Sequence, residues 1–398
     1  MKILIISSFL PYPLFSGGHV RLYNLIKELS DKHEITLICE KRSSQTNQDI
    51  AEIAKICTKV ITVERRKQWS INNILQSATS SHSFLVMGHT HREMQEKIKE
   101  VLSSEKFDLI HIETFYVMQN LQETNIPIVL VEHNIEYSVY EKFALKAPSI
   151  LRPLLAIDIA KIKKEEELSW KRANALVAVS REDQKVMEQA GCTSTLVSNG
   201  VNIGEFTMKK KLVEKENKVL FIGDFKWIQN QDTVKFIIED IWPPILQGFA
   251  GQADGVGLKL WIVGRKIPDA IKQLTDDSSI IFDEKSSTKP TAEIFQEASI
   301  VLTPIRVGGG TSYKILESMA CGTPVVTMQM SADAIDAVDG TDIMVGKTAD
   351  ELAEKTVKLL RDPVLYERIS KNGRALIEKN YTWKEITKKL EAVYKRTT

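Results

Sequence analysis

Residues 303–326 read TPIRVGGGTSYKILESMACGTPVV, and the fold turns on how this stretch is read. The β-branched pair Ile300 and Val301 leads in, and three consecutive glycines, Gly308, Gly309 and Gly310, follow. Thr311 and Ser312, both favourable N-cap residues, open a predicted helix that ends near Cys321 and Gly322. A turn-favouring Thr-Pro then precedes a second apolar run at Val325 and Val326. Strand, glycine loop and helix N-terminus aim unpaired backbone N–H groups and a positive dipole end at one spot, which suits a phosphate. Lys314, in the first turn, sits at the unfavourable end of that dipole, and this points to an anion beside it. Glu317 lies three residues on along the same face, where a carboxylate can accept from sugar hydroxyls. Alone, Lys314 and Glu317 also read as a solvated pair at helical spacing beside a glycine loop.

Outward from that segment, short apolar runs recur between longer helical patterns along the whole chain. They fall at 3–6, 35–38, 60–63, 109–112, 128–131 and 176–179 in the first half. In the second half they fall at 219–222, 258–263, 280–282, 300–302, 325–327 and 343–345. Continuous apolar strands alternating with helices predict an α/β chain with parallel sheets covered on both faces. Several runs end in a loop residue, as at Ser180, Gly223 and Gly264. Ligands of such sheets bind beyond the carboxyl ends of the strands, where these loops gather.

A length of 398 residues exceeds one ordinary core and predicts two domains. The charged and amide-rich stretch 208–218, MKKKLVEKENK, reads as a solvated linker between them. The chain closes on 381–394, YTWKEITKKLEAVY, where Trp383, Ile386, Leu390 and Val393 recur at helical spacing. That apolar stripe has to dock on something.

Hydrophobic content of 43% with 26% charged residues is that of a globular chain, and a net charge of +1 argues against nucleic acid as a partner. The cysteines Cys39, Cys57, Cys192 and Cys321 are widely spaced without a CxxC pair, which predicts a reducing, cytoplasmic setting and no structural zinc. His89 and His91 form an HxH that reads as a polar helix start. The apolar run after Met1 and Lys2 is too short for a secretory segment and predicts a first buried strand. No stretch approaches 18 apolar residues.

Taken in order, the motifs resemble the retaining glycosyltransferases of family 4, which have the GT-B architecture of two facing Rossmann-like domains. They are PYPLFSGGHVRLYNLIKELSDKHEITLIC at 11–39, EHN at 132–134, AVSREDQ at 178–184 and SNGVNIGEF at 198–206. FIGDFKWIQNQDTVKF at 221–236, IVGRKIP at 262–268 and the opening segment complete the series. The match is to a subgroup with a VGGGT loop, found in bacterial polysaccharide and cell-surface glycan assembly. The resemblance implies an acceptor domain over 1–204, a linker over 205–217 and a nucleotide-sugar donor domain over 218–379. It also implies a C-terminal helix over 380–398 that crosses back to the first domain.

The resemblance further implies a site. Glu317 matches a glutamate that holds the ribose hydroxyls of a sugar nucleotide, while Gly309 stands where a paired glutamate is common. The family's usual basic pair is replaced by Gly223-Asp224 and Gln229-Asn230, leaving Lys226, Arg265, Arg306 and Lys314 to meet the diphosphate. Gly310 and Thr311 border the same loop, and Gly17 and Gly18 match a loop near the diphosphate and acceptor. His133 matches a histidine that contacts the donor sugar. With Lys314 and Glu317 it forms the expected catalytic set, and Glu113 and Glu136 are lesser candidates for acceptor contacts. His111 is expected to lie buried within its strand.

The implied partners are a nucleotide diphosphate sugar as co-substrate and a sugar, lipid-linked or protein acceptor, with no cofactor and no metal. Two further readings stand beside the transferase: a non-catalytic nucleotide-sugar binder and an epimerase of the same architecture. A dinucleotide-dependent oxidoreductase is disfavoured, since no GxGxxG follows a strand. Residues 147–172 read first as a helix packed on the sheet, since Glu165, Glu166 and Glu167 dilute its basic charge; its apolar and basic positions also suggest peripheral contact with the inner face of a membrane.

Overall fold

The structure is a computed structural model that describes residues 1–66, 77, 80–209, 217–249, 257–306 and 311–398. It contains two compact units, one of Met1–Ser198 with Ile386–Thr398 and one of Asn199–Glu385. Each is a parallel-sheet α/β domain of Rossmann type.

The first unit holds strands β1 (Lys2–Ser7), β2 (Glu34–Lys41), β3 (Lys59–Glu64), β4 (Leu109–Glu113), β5 (Ile128–Glu132), β6 (Ala175–Ala178) and β7 (Ser194–Leu196). Their order in the sheet is β3-β2-β1-β4-β5-β6-β7, every pair parallel. β1 and β4 are buried almost throughout because both faces carry helices, which explains their unbroken apolar runs. β7 escaped the sequence reading, since a three-residue strand, Ser-Thr-Leu, has neither the length nor the apolarity to signal itself.

The second unit repeats the plan with β8 (Asn217–Ile222), β9 (Leu258–Val263), β10 (Ile280–Asp283), β11 (Ile300–Thr303), β12 (Val325–Thr327) and β13 (Met344–Val345). Its order is β10-β9-β8-β11-β12-β13, again all parallel. In both sheets the order reverses direction at the first strand, between β1 and β4 and between β8 and β11. Loops leaving the carboxyl ends of such a pair diverge and open a crevice.

Residues 210–216 of the expected linker lie outside the described residues, but Lys209 within it is packed rather than solvated. Its Nζ donates to the Ala298 carbonyl at 2.9 Å and lies 5.5 Å from the centre of the Tyr366 ring. The last helix, Trp383–Thr397, buries its stripe as amphipathic spacing requires. Ile386, Leu390, Val393 and Tyr394 are buried residues of the first unit, whereas Trp383 belongs to the second, its ring 6.5 Å from that of Tyr313.

One exit from the second sheet leaves no room for a side chain. A Cβ built on Gly264, which follows β9, would lie 2.2 Å from the Gly223 carbonyl oxygen and 2.5 Å from the Phe225 ring. The obstacle is backbone, so relaxation has to move β8 or β9. Gly264→Ala should therefore destabilise the chain by about 2–3 kcal/mol, read as a lower urea midpoint; an unchanged midpoint would mean that the two strand ends part freely.

Candidate functional site

In the first unit, residues beyond the carboxyl ends of β4 and β5 meet around Glu113. Its side chain is fully buried, with Oε2 at 2.5 Å from His111 Nε2 and Oε1 in hydrogen-bond contact with His133 Nε2. His111 Nδ1 in turn lies 2.5 Å from the Tyr394 hydroxyl. His111 and Glu113 share a strand face because side chains two residues apart point the same way. Burial raises the pKa of Glu113, but the charge of His133 and hydrogen bonds from His111 and His133 outweigh it and hold the carboxyl well below its ordinary range. Glu113 is thus the ionised anchor of two imidazoles, not an acceptor contact.

His133 is partly exposed and faces the start of the helix Gly17–Ser30. A Cβ at Gly18 would stand 3.0 Å from His133 Nδ1, so glycine allows this approach. The helix begins at Gly17, capped by Ser16 through backbone geometry alone. Ser16 Oγ pairs instead with His19 Nδ1 at 2.8 Å, and the His19 ring stacks at 4.7 Å on Phe9. Burial first, then the charges of Arg42 and His133, lowers the His19 pKa to about 4. The structure therefore brings Gly17, Gly18 and His133 together at one place.

Thr114, immediately after β4, adopts φ 74° and ψ 142°. A non-glycine residue there costs about 1–3 kcal/mol and persists only where neighbours enforce it. The Thr114 amide donates to the Val131 carbonyl at 2.9 Å, which fastens this exit to β5.

In the second unit, the expected helix appears as Tyr313–Ala320, with Ser312 at the N-cap position but no side-chain cap bond. Gly309 and Gly310 lie outside the described residues, and so do Val307 and Gly308. The Thr311 hydroxyl is buried without a partner among the described residues, while its carbonyl accepts from Asn199 Nδ2 at 3.1 Å.

Lys314 is held from two sides. Its Nζ donates to Asn230 Oδ1 at 3.0 Å and lies 4.6 Å from the centre of the Phe221 ring. Asn230 is itself fixed, donating from Nδ2 to the Asp224 carbonyl at 2.8 Å, and a Cβ on Gly223 would strike it at 2.8 Å. Burial pushes the Lys314 pKa down to about 8, opposed by Glu317. Burial, then the charge of Glu205, pushes Glu317 up to about 8, opposed by Lys314. Both side chains retain partial solvent contact, and no described residue donates to the Glu317 carboxylate. A cation and a carboxyl one turn apart, crowded yet accessible, are poised for an anionic ligand bearing hydroxyls.

The other expected cations are not gathered there. Arg306 Nη2 donates to both oxygens of Asp232, at 3.0 and 3.1 Å, and its guanidinium stacks 4.3 Å above the Phe236 ring centre. Lys226 is exposed, 3.5 Å from Asp224, and Arg265 is exposed beyond β9. Sequence reasoning noted Asn230 only as a missing lysine; its role as the residue that holds Lys314 needed coordinates.

Two buried groups correct readings of charge. His91 does stand at a helix start, the N-cap of Arg92–Ser104, but the pair is not solvated: His89 Nδ1 lies 2.9 Å and His91 Nε2 2.8 Å from the oxygens of Glu40, all three buried. Glu165 and Glu166 are likewise buried rather than solvated. Glu166 accepts from the amides of Glu136 and Tyr137, at 2.8 and 3.1 Å, and so caps the helix Glu136–Lys146. Burial raises Glu166 to about 8 and Glu136 to about 7. Glu132, bonded by Trp170 Nε1 at 3.1 Å, is raised well above its ordinary value by burial and by Glu166.

The sign of the resulting pH dependence is fixed by linkage. An acid with a raised folded pKa binds its proton more tightly when folded. Its contribution is complete below the ordinary value of 4.5 and is lost as pH rises to about 8. Glu113, with a depressed pKa, contributes above 4.5 and loses its contribution as pH falls. The urea midpoint should therefore peak near pH 5 and decline on both sides; a profile flat between the ordinary carboxylate range and neutrality would mean that Glu132, Glu136 and Glu166 ionise as they do in water.

Known proteins place these two units. Residues 15–205 match the family described as Glycosyltransferase Family 4, and residues 216–362 match that described as Glycosyl transferases group 1. An uncharacterised glycosyltransferase of Methanocaldococcus jannaschii is 20% identical over 201 residues, 49% of this chain and 49% of that protein. The chain thus spans about half the length of this curated relative. Among solved structures, sucrose-phosphate synthase of Thermosynechococcus elongatus superposes with a TM-score of 0.71 at 15% identity, over 100% of this chain and 99% of the other. Anabaena HepE in complex with UDP and glucose gives 0.62 at 15% identity, over 100% of both chains. The likeness to these structures is one of fold, and the chain carries the two glycosyltransferase domains of the GT-B architecture.

Proposed function

We propose that this chain, with both glycosyltransferase domains in place, moves a glycosyl group from a nucleotide diphosphate sugar to a hydroxyl acceptor with retention of configuration. The reading rests above all on Lys314, a cation seated between Asn230 and Phe221 with Glu317 one turn away. An ammonium held there neutralises the diphosphate as the glycosidic bond breaks, and its low-dielectric seat strengthens that interaction. Glu317 takes the ribose hydroxyls, which its unpartnered oxygens can accept. In the first unit, His133, fastened by Glu113 and given room by Gly18, is the proposed contact to the transferred sugar.

The departing phosphate is the proposed base for the acceptor proton, so the reaction needs no protein nucleophile and no metal. Uracil is the proposed base of the donor, in keeping with the UDP carried by the HepE complex. The acceptor class is a growing glycan of a cell-surface or polysaccharide pathway, the setting of the VGGGT subgroup that the sequence resembles.

A panel of UDP- and GDP-sugars, assayed for slow nucleotide release with and without sugar acceptors, tests the reading. Release of UDP that is lost in Glu317→Ala supports the transferase. Tight binding of nucleotide without turnover for any donor would favour the non-catalytic binder.

A further inference from the structure

The helices Glu136–Lys146 and Arg152–Arg172 pack together, joined by a short turn at Ser149–Leu151. The long helix carries apolar side chains of two kinds. Ile159, Ile162 and Trp170 are buried in the first unit's core. Leu154, Ile157 and Leu168 stand in solvent, 67%, 59% and 53% exposed, and Ile150 in the turn before the helix is 83% exposed. Across the turn, Leu145 is 72% and Phe143 60% exposed. Isolated exposed apolar residues are ordinary, but Phe143, Leu145, Ile150, Leu151, Leu154 and Ile157, six large ones within fifteen residues at one hairpin end, form a patch.

The surrounding charge is basic once burial is taken into account. Glu165 and Glu166, which by sequence dilute the lysines of this helix, are turned into the core. Lys142, Arg152 and Lys164 stay exposed, whereas Lys163 lies over the Tyr137 ring at the far end of the shorter helix. Glu141 is an exposed acid in the same stretch, and Lys163 lies 4.0 Å from Glu167. Arg152 braces the turn as well, donating from Nε to the Ala147 carbonyl at 3.1 Å and from Nη2 to that of Leu145 at 3.0 Å. Bracing holds the apolar side chains outward, although folding them back would hide them from water.

We propose that this hairpin end docks on an anionic bilayer surface, with Ile150, Leu154, Ile157 and Phe143 entering the headgroup boundary and the flanking cations meeting lipid phosphates. Protruding apolar side chains fit a soft lipid interface, and the exposed cations Lys142 and Arg152 beside them fit its negative charge. No described helix is long and apolar enough to cross a membrane, so the association is peripheral. It stands apart from the donor chemistry and is tested without substrate.

The full chain is sedimented with vesicles of phosphatidylcholine containing phosphatidylglycerol and with vesicles of phosphatidylcholine alone. Partition to the anionic vesicles should be about tenfold stronger and should weaken with added salt. Combining Ile150→Ser, Leu154→Ser and Ile157→Ser should lower partition about a hundredfold, and Lys142→Ala should lower it roughly fivefold. These positions are exposed, so the urea midpoint should not move. Equal partition of the triple variant and the parent would overturn the proposal, as would absence of binding to anionic vesicles. So would a dimer in solution that the triple variant converts to monomer, which would make the patch a self-association surface.

Discussion

Replacing Lys314 by alanine is expected to lower kcat/KM for the nucleotide sugar by a factor of about 10² to 10³. The ammonium sits in a crowded seat, 3.0 Å from Asn230 Oδ1 and against the Phe221 ring, where water screens it poorly. Negative charge that develops on a leaving diphosphate gains more there than at the surface. Arg306 is occupied by Asp232, and Lys226 and Arg265 are exposed to solvent, so none of the other expected cations has the desolvated setting of Lys314. Folding should not suffer, because removal of a desolvated cation relieves a cost. The same group sets a pH limit. With its pKa lowered to about 8, Lys314 loses its proton above that pH, and kcat/KM should fall there. Glu317→Ala should instead weaken nucleotide binding by about 10- to 100-fold, the worth of two hydrogen bonds to the ribose. A Lys314→Ala enzyme within threefold of the parent would remove Lys314 from the site.

The largest effect on stability is expected at Glu113. Glu113→Ala leaves His111 and His133 without the carboxylate that both contact, inside a fully buried space that also holds Tyr394. Loss of one partner from such a buried charged network costs about 3–5 kcal/mol. A domain has only about 5–15 kcal/mol of stability in total. The urea midpoint should drop accordingly, and the acid side of the pH profile should flatten, since Glu113 is the group with the depressed pKa. Glu113→Gln keeps the shape and a hydrogen-bonding oxygen, so it should recover part of the loss. If Glu113→Ala unfolded at the parent's midpoint, the two histidines would have to be held by their surroundings alone.

How much of this was legible beforehand differs by element. The strand runs at 3–6, 109–112 and 219–222 announced β1, β4 and β8, because a strand buried on both faces must be apolar at every position. The helix Tyr313–Ala320 was equally plain from its N-cap pair and the turn at Thr323-Pro324. Spacing also placed Lys314 and Glu317 on one helical face. The supports of the proposed site's side chains were not legible. Glu113 reads as any strand-end carboxylate, although its two-residue offset from His111 was a signal that one strand face carried both. Asn230 meets Lys314 across 84 residues, and His89 and His91 meet Glu40 across about fifty. Such contacts depend on sheet order, which no local pattern states.

The amino-acid sequence by itself determined two Rossmann-type α/β domains, the strand-loop-helix that carries Lys314 and Glu317, and the resemblance to family 4 glycosyltransferases. These properties are local: periodicity, capping residues and motif spacing act over a few turns of chain. Only the tertiary structure decided which charges are spent and which are available. It locked Arg306 onto Asp232, turned Glu165 and Glu166 inward, tied His133 to Glu113 and left Ile150 and Leu154 in solvent. Whether a side chain is solvated or engaged depends on neighbours distant in sequence. Burial then sets its free energy of ionisation, and that free energy separates a surface charge from a working one.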